Sequence, residues 1–466
     1  MTVQPMNFSR LTKNVLYQQA AQGIVSLSFR QLASIGISGI GTLILMRILG
    51  PREYGMIVIV QAIMAYLIVF GSSFGAYVVR SSSMEMIHDI FTLAVLLSFF
   101  ISGLLMILAS LIAAFWGVPE LKPLIYLSAA GVSFGILAGV QAGILERDMR
   151  YPTLARLELA SVIITYIVAI IMAWQGMGPL GITLAMAGTY IFQFIGFEIA
   201  TGYRWKPVVP KSFRVIIGYV FSYAASGLTW QLRSLINPII VGRIFGPEMV
   251  GIIGAVLKVV EASGALRGPV LRVLFNVMSR VQKDKKELSK AIFFGTSYQI
   301  LLLGLLYFLI ALFLPLAVRL ILGQQWVPVI EIYSWVAVAF LLQSIPLSLV
   351  NIFYVSGQNL KVLIANIIYI GLLALSTYVF VGRAGAKGYG WAEILSVIIY
   401  GLIIYLYSFP IIGTVRLPLL LASGLSLAIV TTKYISFWSS LLVFLSLLGR
   451  HDRQLLFKVF RGAYEK

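Results

Sequence analysis

The sequence predicts an all-α, polytopic membrane protein, and three observations support that prediction. Hydrophobic residues make up 60% of the chain and charged residues only 11%, whereas ordinary soluble domains are about 45–50% apolar and about 25% charged. The apolar residues fall into long runs, and part of the chain repeats itself. Because so few charges cannot cover a water-facing exterior, a soluble protein is excluded.

The apolar runs predict about 14 transmembrane helices. A helix needs about 20 predominantly apolar residues to cross the hydrocarbon core. Such runs lie near 23–46, 54–79, 91–115, 121–144, 152–175, 179–203, 215–242, 248–271, 291–318, 327–355, 361–382, 388–410, 413–432 and 434–449. Only Lys433 separates the last two runs, so a count of 12 or 13 is also compatible with the sequence.

The basic residues predict how the chain is oriented. It has 35 Lys and Arg against 16 Asp and Glu, a formal net charge of +19. With the N-terminus inside, most of these cations fall in cytoplasmic loops, as the positive-inside rule requires. Both termini are therefore expected in the cytoplasm. Because the cations are scattered between apolar runs and not gathered on one soluble face, we expect no nucleic-acid partner.

Several kinds of chemistry lack the residues that they need. The chain has no cysteine, which excludes disulfides, thiolate metal sites and thiol catalysis. Its two histidines, His88 and His451, fall in predicted loops, and no Gly-x4-Gly-Lys-Ser/Thr motif for nucleotides occurs. We therefore expect no enzyme, no metal site and no cofactor.

The most informative feature is an internal repeat at an offset of 196 residues. Arg47-Ile-Leu-Gly-Pro-Arg-Glu-Tyr-Gly55 recurs as Arg243-Ile-Phe-Gly-Pro-Glu-Met-Val-Gly251. In both copies the turn joins the first two helices of a six-helix unit, so the units share an orientation. Parallel repeats of this kind are related by an axis along the membrane normal, with the substrate site between them near the midplane.

The repeated turn has a local physical explanation. Glycine followed by proline ends the first helix, because proline lacks an N–H and disfavours helical geometry in the residue before it. An arginine in the last turn suits the negative end of the helix dipole. We interpret the turn residues as structural: Arg47, Gly50, Pro51, Arg243, Gly246 and Pro247.

The spans and the repeat divide the chain into five segments. They are an N-terminal six-helix lobe at 1–203, a cytoplasmic linker at 204–214, a C-terminal six-helix lobe at 215–410, extra helices 13 and 14 at 411–449, and a basic cytoplasmic tail at 450–466. The tail is amphipathic, which predicts a helix lying on the inner membrane surface against anionic lipid.

The two turns and the basic Ser279–Ser289 segment after the eighth helix resemble the Wzx-type polysaccharide flippases of the multidrug/oligosaccharidyl-lipid/polysaccharide exporter superfamily. The resemblance covers about residues 10–290. It implies transport of undecaprenyl-pyrophosphate-linked oligosaccharides to the outer leaflet of a bacterial plasma membrane, for O-antigen, capsule or exopolysaccharide. It also implies a V-shaped cavity between two lobes, a groove for the lipid tail shaped by helices 13 and 14, a monomer, and a polysaccharide polymerase and chain-length machinery as partners.

Charges inside spans are costly and are functional candidates by default. Counted from the second turn at 1.5 Å per residue, Arg233 and Lys258 both lie near the midplane, where the repeat counterparts Ile37 and Ala62 are apolar. Glu261 lies one helical turn from Lys258 and can neutralise it, so a purely structural pair stays open. For Arg156 and Arg267, nearer the inner side, extension to the membrane surface is an equally good interpretation.

Small and polar residues form matching stripes on helices 1 and 7. They are Ser26, Arg30, Ser34, Ser38 and Gly41 on helix 1, and Ser222, Ser226, Trp230, Ser234 and Asn237 on helix 7. Helical periodicity places each set on one face. We expect Arg30, Arg233 and Lys258 to bind the pyrophosphate or acidic sugars, and Trp230 and Asn237 to contact sugar hydroxyls. Close packing through small residues is the alternative.

The alternative function is an ion-coupled multidrug or organic-cation antiporter of the same superfamily. A cationic substrate favours an acidic midplane, whereas the deep charges predicted here are mainly basic. A membrane polymerase or ligase would carry a large external loop, which the sequence lacks. Glu158 or Glu261 could bind a proton or Na⁺ and drive transport, and a scramblase without ion coupling also stays open.

Overall fold

The structure is a computed structural model that describes residues 13–81, 84–264, 266–282, 284–412 and 416–432. Every regular element in these ranges is a helix. The α-helices are α1 (Lys13–Leu49), α2 (Pro51–Arg80), α3 (Met84–Trp116), α4 (Leu121–Arg147), α5 (Tyr151–Trp174), α6 (Gly178–Thr201), α7 (Phe213–Ile236), α8 (Gly242–Gly264), α9 (Arg267–Val281), α10 (Lys285–Ala317), α11 (Pro328–Leu342), α12 (Ser344–Val355), α13 (Asn359–Ala384), α14 (Ala386–Ile412) and α15 (Arg416–Thr431). Short π-helical turns at Asn237–Val241 and Val318–Leu322 extend α7 and α10.

Eleven helical segments in the described ranges are long and apolar enough to cross a membrane. The prediction of an all-α, multi-pass membrane protein is thereby confirmed. α15 coincides with the thirteenth predicted run, while the fourteenth run, 434–449, and the basic tail, 450–466, lie outside the described residues. The total of 14 helices is therefore not confirmed.

The chain forms two compact units, 1–251 and 252–466. In the first unit, α2 packs against α4, α4 against α6, and α1 against α5. In the second, α13 packs against α14, α10 against α15, and α11 against α14. The boundary between the units lies inside α8 and not at the linker 204–214, and the division into two six-helix lobes stays a prediction.

Glycines bring α2 and α4 into backbone contact within the first unit. A Cβ atom at Gly75 would lie 2.5 Å from the carbonyl oxygen of Gly139, and one at Gly143 would lie 2.5 Å from the carbonyl oxygen of Gly75. Lipid offers helices no hydrophobic reason to associate, so small residues that permit close approach stabilise membrane helix pairs. No side chain could be added at these positions without separating the two helices.

The two copies of the repeated turn adopt the same backbone conformation. Gly50 has φ 81° and ψ 173°, and Gly246 has φ 76° and ψ −177°. Positive φ favours glycine because no Cβ is present to clash. Pro51 then starts α2, where its missing N–H would have no partner in any case. In the second copy the helix continues through the turn, so α8 is kinked at Gly246.

Each repeated turn ends in a second glycine, Gly55 or Gly251, and these two glycines meet inside the first unit. A Cβ atom at Gly55 would overlap the carbonyl oxygen of Pro247, and a Cβ atom at Gly251 would overlap the carbonyl oxygen of Pro51. The relation is reciprocal, and its partners are equivalent positions of the repeat. The repeated sequence thus creates a point where α2 and the start of α8 touch through their backbones.

The linker between α6 and α7 is extended and is bound to the first turns of α3. His88 Nδ1 accepts hydrogen bonds from the Tyr203 hydroxyl at 2.7 Å and from the Lys206 N–H at 3.3 Å. Burial raises the pKa of Tyr203, which keeps its hydroxyl protonated as a donor. Asp89 Oδ2 accepts from the N–H groups of Lys211 and Ser212, at 3.1 and 3.3 Å. Side chains from the first turns of α3 therefore hold the linker at both its start and its end.

Two predicted spans differ from the structure. The eighth predicted run extends to residue 271, but α8 ends at Gly264 and α9 begins at Arg267, inside that run. Proline at position 269 suits the first turn of the new helix. The tenth predicted run, 327–355, divides at Gln343 into α11 and α12. The break between α8 and α9 replaces a continuous helix with two segments.

Candidate functional site

The first unit contains a cavity of about 490 Å³ among α2, α4, α5, α6 and α7. This volume lies within the range of about 300–1,000 Å³ that is usual for small-molecule sites. One wall consists of small residues of α2 and α4, where the two helices touch. The polar lining residues come from five helices: Ser72, Glu146, Glu158, Tyr190, Gln193, Tyr223 and Gln231. A polar cavity of this size in an apolar bundle is the best candidate for a binding site.

An ion pair borders this cavity. Arg30 Nε on α1 lies 3.1 Å from Glu158 Oε2 on α5, and each side chain is 28% exposed. Glu158 lines the cavity, while Arg30 approaches the carboxylate from the side of α1. Because water reaches both groups only in part, their attraction is screened less than that of a surface pair. The site therefore contains a cation with a defined acidic partner.

A second contact fixes the polar side of the cavity. Gln193 Nε2 on α6 donates to Ser161 Oγ at 2.8 Å, and Ser161 Oγ donates to the carbonyl oxygen of Glu158 at 2.7 Å. These bonds join α6 to the turn of α5 that carries Glu158. The Gln193 amide is thereby oriented, and the acidic turn beneath it is held in place.

The second unit holds a buried arginine at the break between α8 and α9. Arg267 is 8% exposed. Its Nη1 donates to Gln343 Oε1 at 3.1 Å, and its Nη2 donates to the Tyr307 hydroxyl at 3.4 Å and to the carbonyl oxygen of Phe340. The acceptors on Phe340 and Gln343 lie where α11 ends and α12 begins. One guanidinium thus links two helix breaks.

The comparisons with known proteins decide the family. Residues 44–331 match the model of a family described as "Polysaccharide biosynthesis protein". The chain belongs to this polysaccharide biosynthesis protein family. The resemblance to polysaccharide exporters, inferred from the repeated turns and the basic segment, is confirmed by this match.

This polysaccharide biosynthesis protein is similar in sequence to two proteins with curated names. The chain is 21% identical over 311 residues to the succinoglycan biosynthesis transport protein ExoT of Rhizobium meliloti (strain 1021). It is 26% identical over 242 residues to the amylovoran biosynthesis protein AmsL of Erwinia amylovora. These matches cover 65% and 50% of the chain, and 61% and 62% of the two relatives, which is less than two thirds of either relative's length.

Solved structures show the same fold. The lipid II flippase MurJ in an inward closed conformation aligns with a TM-score of 0.74 and 15% identity, over 94% of this chain and 100% of MurJ. A multidrug resistance MATE transporter of the MOP superfamily, in an inward-facing conformation, aligns with a TM-score of 0.66 and 14% identity, over 84% of this chain and 99% of the transporter. At such identities the likeness establishes the fold of this polysaccharide biosynthesis protein and nothing more.

In this family member, the structure brings together two of the predicted site residues, Arg30 and Glu158. Their positions in the sequence predicted separate roles, substrate binding for Arg30 and ion coupling for Glu158, and did not indicate their contact. One other member of the helix 1 stripe packs against α5, since a Cβ atom at Gly41 would clash with the Tyr166 ring. Packing therefore explains Gly41, while Arg30 reaches the cavity border.

The site residues predicted on helix 7 differ in their burial and in their contacts. Arg233 is half-buried in the last turn of α7, and Gln231, two residues earlier, lines the cavity. Asn237 is buried, and its Nδ2 donates to the carbonyl oxygen of Val250 at 3.2 Å. The side chain of Trp230 lies outside the described side chains. Substrate contact by Arg233, Trp230 and Asn237 stays a prediction.

Lys258 and Glu261 lie on the part of α8 that belongs to the second unit. Both side chains are exposed, and their spacing of three residues places them on one helix face. Neither lines the cavity of the first unit. Their predicted roles, substrate binding for Lys258 and ion coupling for Glu261, stay predictions.

The arginines of the repeated turns lie at the surface. Arg243 is exposed, donates from Nη1 to the carbonyl oxygen of Phe115 at 2.6 Å, and lies 5.5 Å from the centre of the Phe115 ring. Trp116 Nε1 donates to the carbonyl oxygen of Pro238 at 2.7 Å. The end of α3 is thus tied to the second turn. Arg47 is exposed in the last turn of α1.

Several residues of the two sites were not predicted, and three of them carry the argument. Glu146 and Gln193 belong to the cavity but have no repeat counterpart or periodic stripe that would have singled them out. Arg267 was interpreted as equally suited to the membrane surface, and its burial shows that the surface interpretation is wrong. The signal for Arg267 was the Gly-Pro pair at 268–269, which predicts a helix start beside it.

Proposed function

We propose that this protein is a flippase that moves undecaprenyl-pyrophosphate-linked oligosaccharide repeat units across the bacterial plasma membrane by alternating access. The product serves O-antigen, capsule or exopolysaccharide synthesis. The observation that supports this most is a polar cavity, lined from five helices, in a member of a polysaccharide biosynthesis family. A transporter of sugars needs such hydrogen-bonding groups inside an otherwise apolar bundle.

The proposed chemistry is binding without bond making or breaking, so the protein acts as a transporter and not as an enzyme. Arg30, Arg233 and Lys258 supply cations for the pyrophosphate or for acidic sugars through charge-assisted hydrogen bonds. Trp230 and Asn237 contact sugar hydroxyls. The lipid tail stays in the bilayer while the head group passes through the protein.

The Arg30–Glu158 ion pair gives a simple route to coupling. An anionic head group competes with Glu158 for Arg30, and a Glu158 that binds a proton releases the arginine. Uptake of a proton or Na⁺ by Glu158, or by Glu261 in the second unit, then favours substrate binding. Flux that does not change when the ion gradients are collapsed would contradict this coupling.

An ion-coupled multidrug or organic-cation antiporter is the second candidate, and one observation favours it. Two carboxyl groups, those of Glu146 and Glu158, line the cavity, whereas no lysine or arginine is among its described lining residues. An acidic excess attracts cations. The family match favours polysaccharide over drug transport, so we place this function second.

We also place the protein in the bacterial inner membrane, with both termini in the cytoplasm, and propose that it acts as a monomer among membrane lipids. A polysaccharide polymerase and chain-length machinery would receive the flipped units. No nucleic acid, metal or cofactor takes part.

Loss of the gene tests the function. We expect lipid-linked oligosaccharide to accumulate on the inner face of the membrane, and the wild-type gene to relieve that accumulation. Arg233→Ala should fail to relieve it at normal expression, whereas the matched variant Arg319→Ala, which removes an exposed arginine, should succeed. Unchanged oligosaccharide levels after gene loss, together with a gain in sensitivity to cationic drugs, would support the antiporter instead.

A further inference from the structure

We propose that the cavity of the first unit binds an uncharged sugar residue of the substrate and not its pyrophosphate. This inference rests on the proposed function and assigns one part of the substrate to one part of the protein. It adds Glu146, Tyr190, Gln193 and Gln231 to the substrate-binding residues.

The charge of the cavity excludes the pyrophosphate. The described lining residues include two carboxyl groups, Glu146 and Glu158, and no lysine or arginine. The neighbouring cation, Arg30, is already paired with Glu158 at 3.1 Å. A pyrophosphate placed here would face an acidic excess in a partly dehydrated site, where repulsion between like charges is strong. The anion must therefore be bound outside the cavity, by cations that do not line it, and Arg30 can take part only from the side of α1 after leaving Glu158.

The shape of the cavity suits a sugar ring. Backbone contact between α2 and α4 makes one wall from small residues, among them Gly75, Gly139 and Gly143. At these three glycines no side chain projects into the space, and the close packing of the two helices keeps this part of the wall rigid. A volume of about 490 Å³ leaves room for a sugar and its neighbours in the chain.

The polar groups that line the rest of the cavity match a polyhydroxyl ligand. Carboxylates accept hydrogen bonds from hydroxyls, and carboxamides both donate and accept. Glu146 from α4, Gln193 from α6 and Gln231 from α7 supply these groups from three directions. Tyr190 adds a ring that packs against the apolar face of a sugar and a hydroxyl that bonds at its edge. A simple cation would need fewer and more concentrated acceptors.

Protection of a single cysteine tests the assignment, because the natural chain has none. Ser72 lines the cavity and is exposed, so Ser72→Cys is nearly isosteric there. The purified variant is labelled with N-ethylmaleimide in the presence of methyl glycosides of glucose, galactose and N-acetylglucosamine, sodium pyrophosphate, or tetraphenylphosphonium. Ser212→Cys, in the linker, is the control for effects outside the cavity.

We expect at least one neutral glycoside to slow labelling of Ser72→Cys in a saturable way, by about tenfold at about ten times its dissociation constant. Pyrophosphate should not protect, and no compound should protect Ser212→Cys. Glu146→Gln should raise the glycoside concentration for half protection about tenfold, as expected for a lost charge-assisted hydrogen bond.

Three results would overturn the assignment: no protection by any of the three glycosides, protection by pyrophosphate equal to that of a glycoside, or protection by tetraphenylphosphonium alone. The last result would identify a site for organic cations. None of these results touches the oligosaccharide accumulation after gene loss, so failure of the sugar site and failure of the flippase function are distinguishable.

Discussion

Gly55 and Gly251, equivalent positions of the internal repeat, are packed against each other's backbone. A Cβ atom at Gly55 would lie 2.9 Å from the amide nitrogen of Gly251, and one at Gly251 would lie 2.9 Å from the amide nitrogen of Gly55. In both directions the added carbon would also overlap a proline carbonyl of the other turn. The repeated sequence therefore specifies a helix contact as well as two similar turns.

Alanine at either glycine should destabilise the first unit. Gly55→Ala and Gly251→Ala each force two backbones apart, and overpacking of this kind costs about 1–3 kcal/mol or more. Gly39→Ala is the matched control, because nothing lies within 4 Å of a Cβ atom there and alanine favours a helix interior by about 0.5–1 kcal/mol. Thermal unfolding in detergent should show a lower transition for the two contact variants only. The same unfolding temperature for all three variants would contradict the backbone contact between Gly55 and Gly251.

Exchange of the Arg30–Glu158 pair should separate stability from transport. Arg30→Glu and Glu158→Arg each place like charges side by side and should lower both thermal stability and transport. The double exchange restores attraction and should recover most of the stability. It should not recover transport, because the arginine then lines the cavity where the carboxylate belongs. Transport at the wild-type rate by the double variant would assign the pair a structural role alone.

Arg267 should stabilise the second unit through its three acceptors. Arg267→Ala leaves the buried hydroxyl of Tyr307 and the carbonyl of Phe340 without this donor, at a cost of about 1–3 kcal/mol for each buried group. Arg156→Ala, which removes an exposed arginine, should have little effect. Thermal unfolding of the two purified variants measures the difference in stability. An equal fall in unfolding temperature for Arg267→Ala and Arg156→Ala would contradict the role given to Arg267.

The linker contacts predict a change in protease sensitivity. His88→Ala removes the acceptor for Tyr203 and Lys206, so trypsin should cleave after the exposed Arg204 faster than in the wild type, by about tenfold if one or two hydrogen bonds of about 1 kcal/mol are lost. His88→Asn keeps an acceptor near the position of Nδ1 and should restore much of the protection. The rate at which the two fragments appear measures the effect. Cleavage at the wild-type rate in His88→Ala would show that other contacts hold the linker.

Much of the fold could be predicted because hydrophobicity and charge act locally. Long apolar runs gave thirteen segments that the described helices overlap, and the Gly-Pro pairs marked turns whose conformation follows from the residues themselves. The breaks at Gly264 and Gln343 were missed, because both lie inside continuous apolar runs, and only the contacts of Arg267 with Phe340 and Gln343 show that they meet. An apolar run shows where a helix can form and not where tertiary contacts interrupt it.

The candidate site was predicted only in part, for a similar reason. Arg30 and Glu158 stood out because charges in apolar spans are rare, but their contact depends on the packing of α1 against α5. Glu146 lies near the end of a predicted helix, where a charged residue is ordinary. Gln193 is uncharged and therefore does not stand out in an apolar span. Only the convergence of five helices shows that these residues share a cavity.

Reconstitution tests the central claim most directly. The purified protein in liposomes should expose a fluorescent undecaprenyl-pyrophosphate oligosaccharide to a membrane-impermeant quencher faster than empty liposomes do, and Arg30→Ala should abolish that gain. Liposomes in which the wild-type protein leaves the lipid-linked sugar in its original leaflet, while it transports tetraphenylphosphonium, would contradict the flippase function.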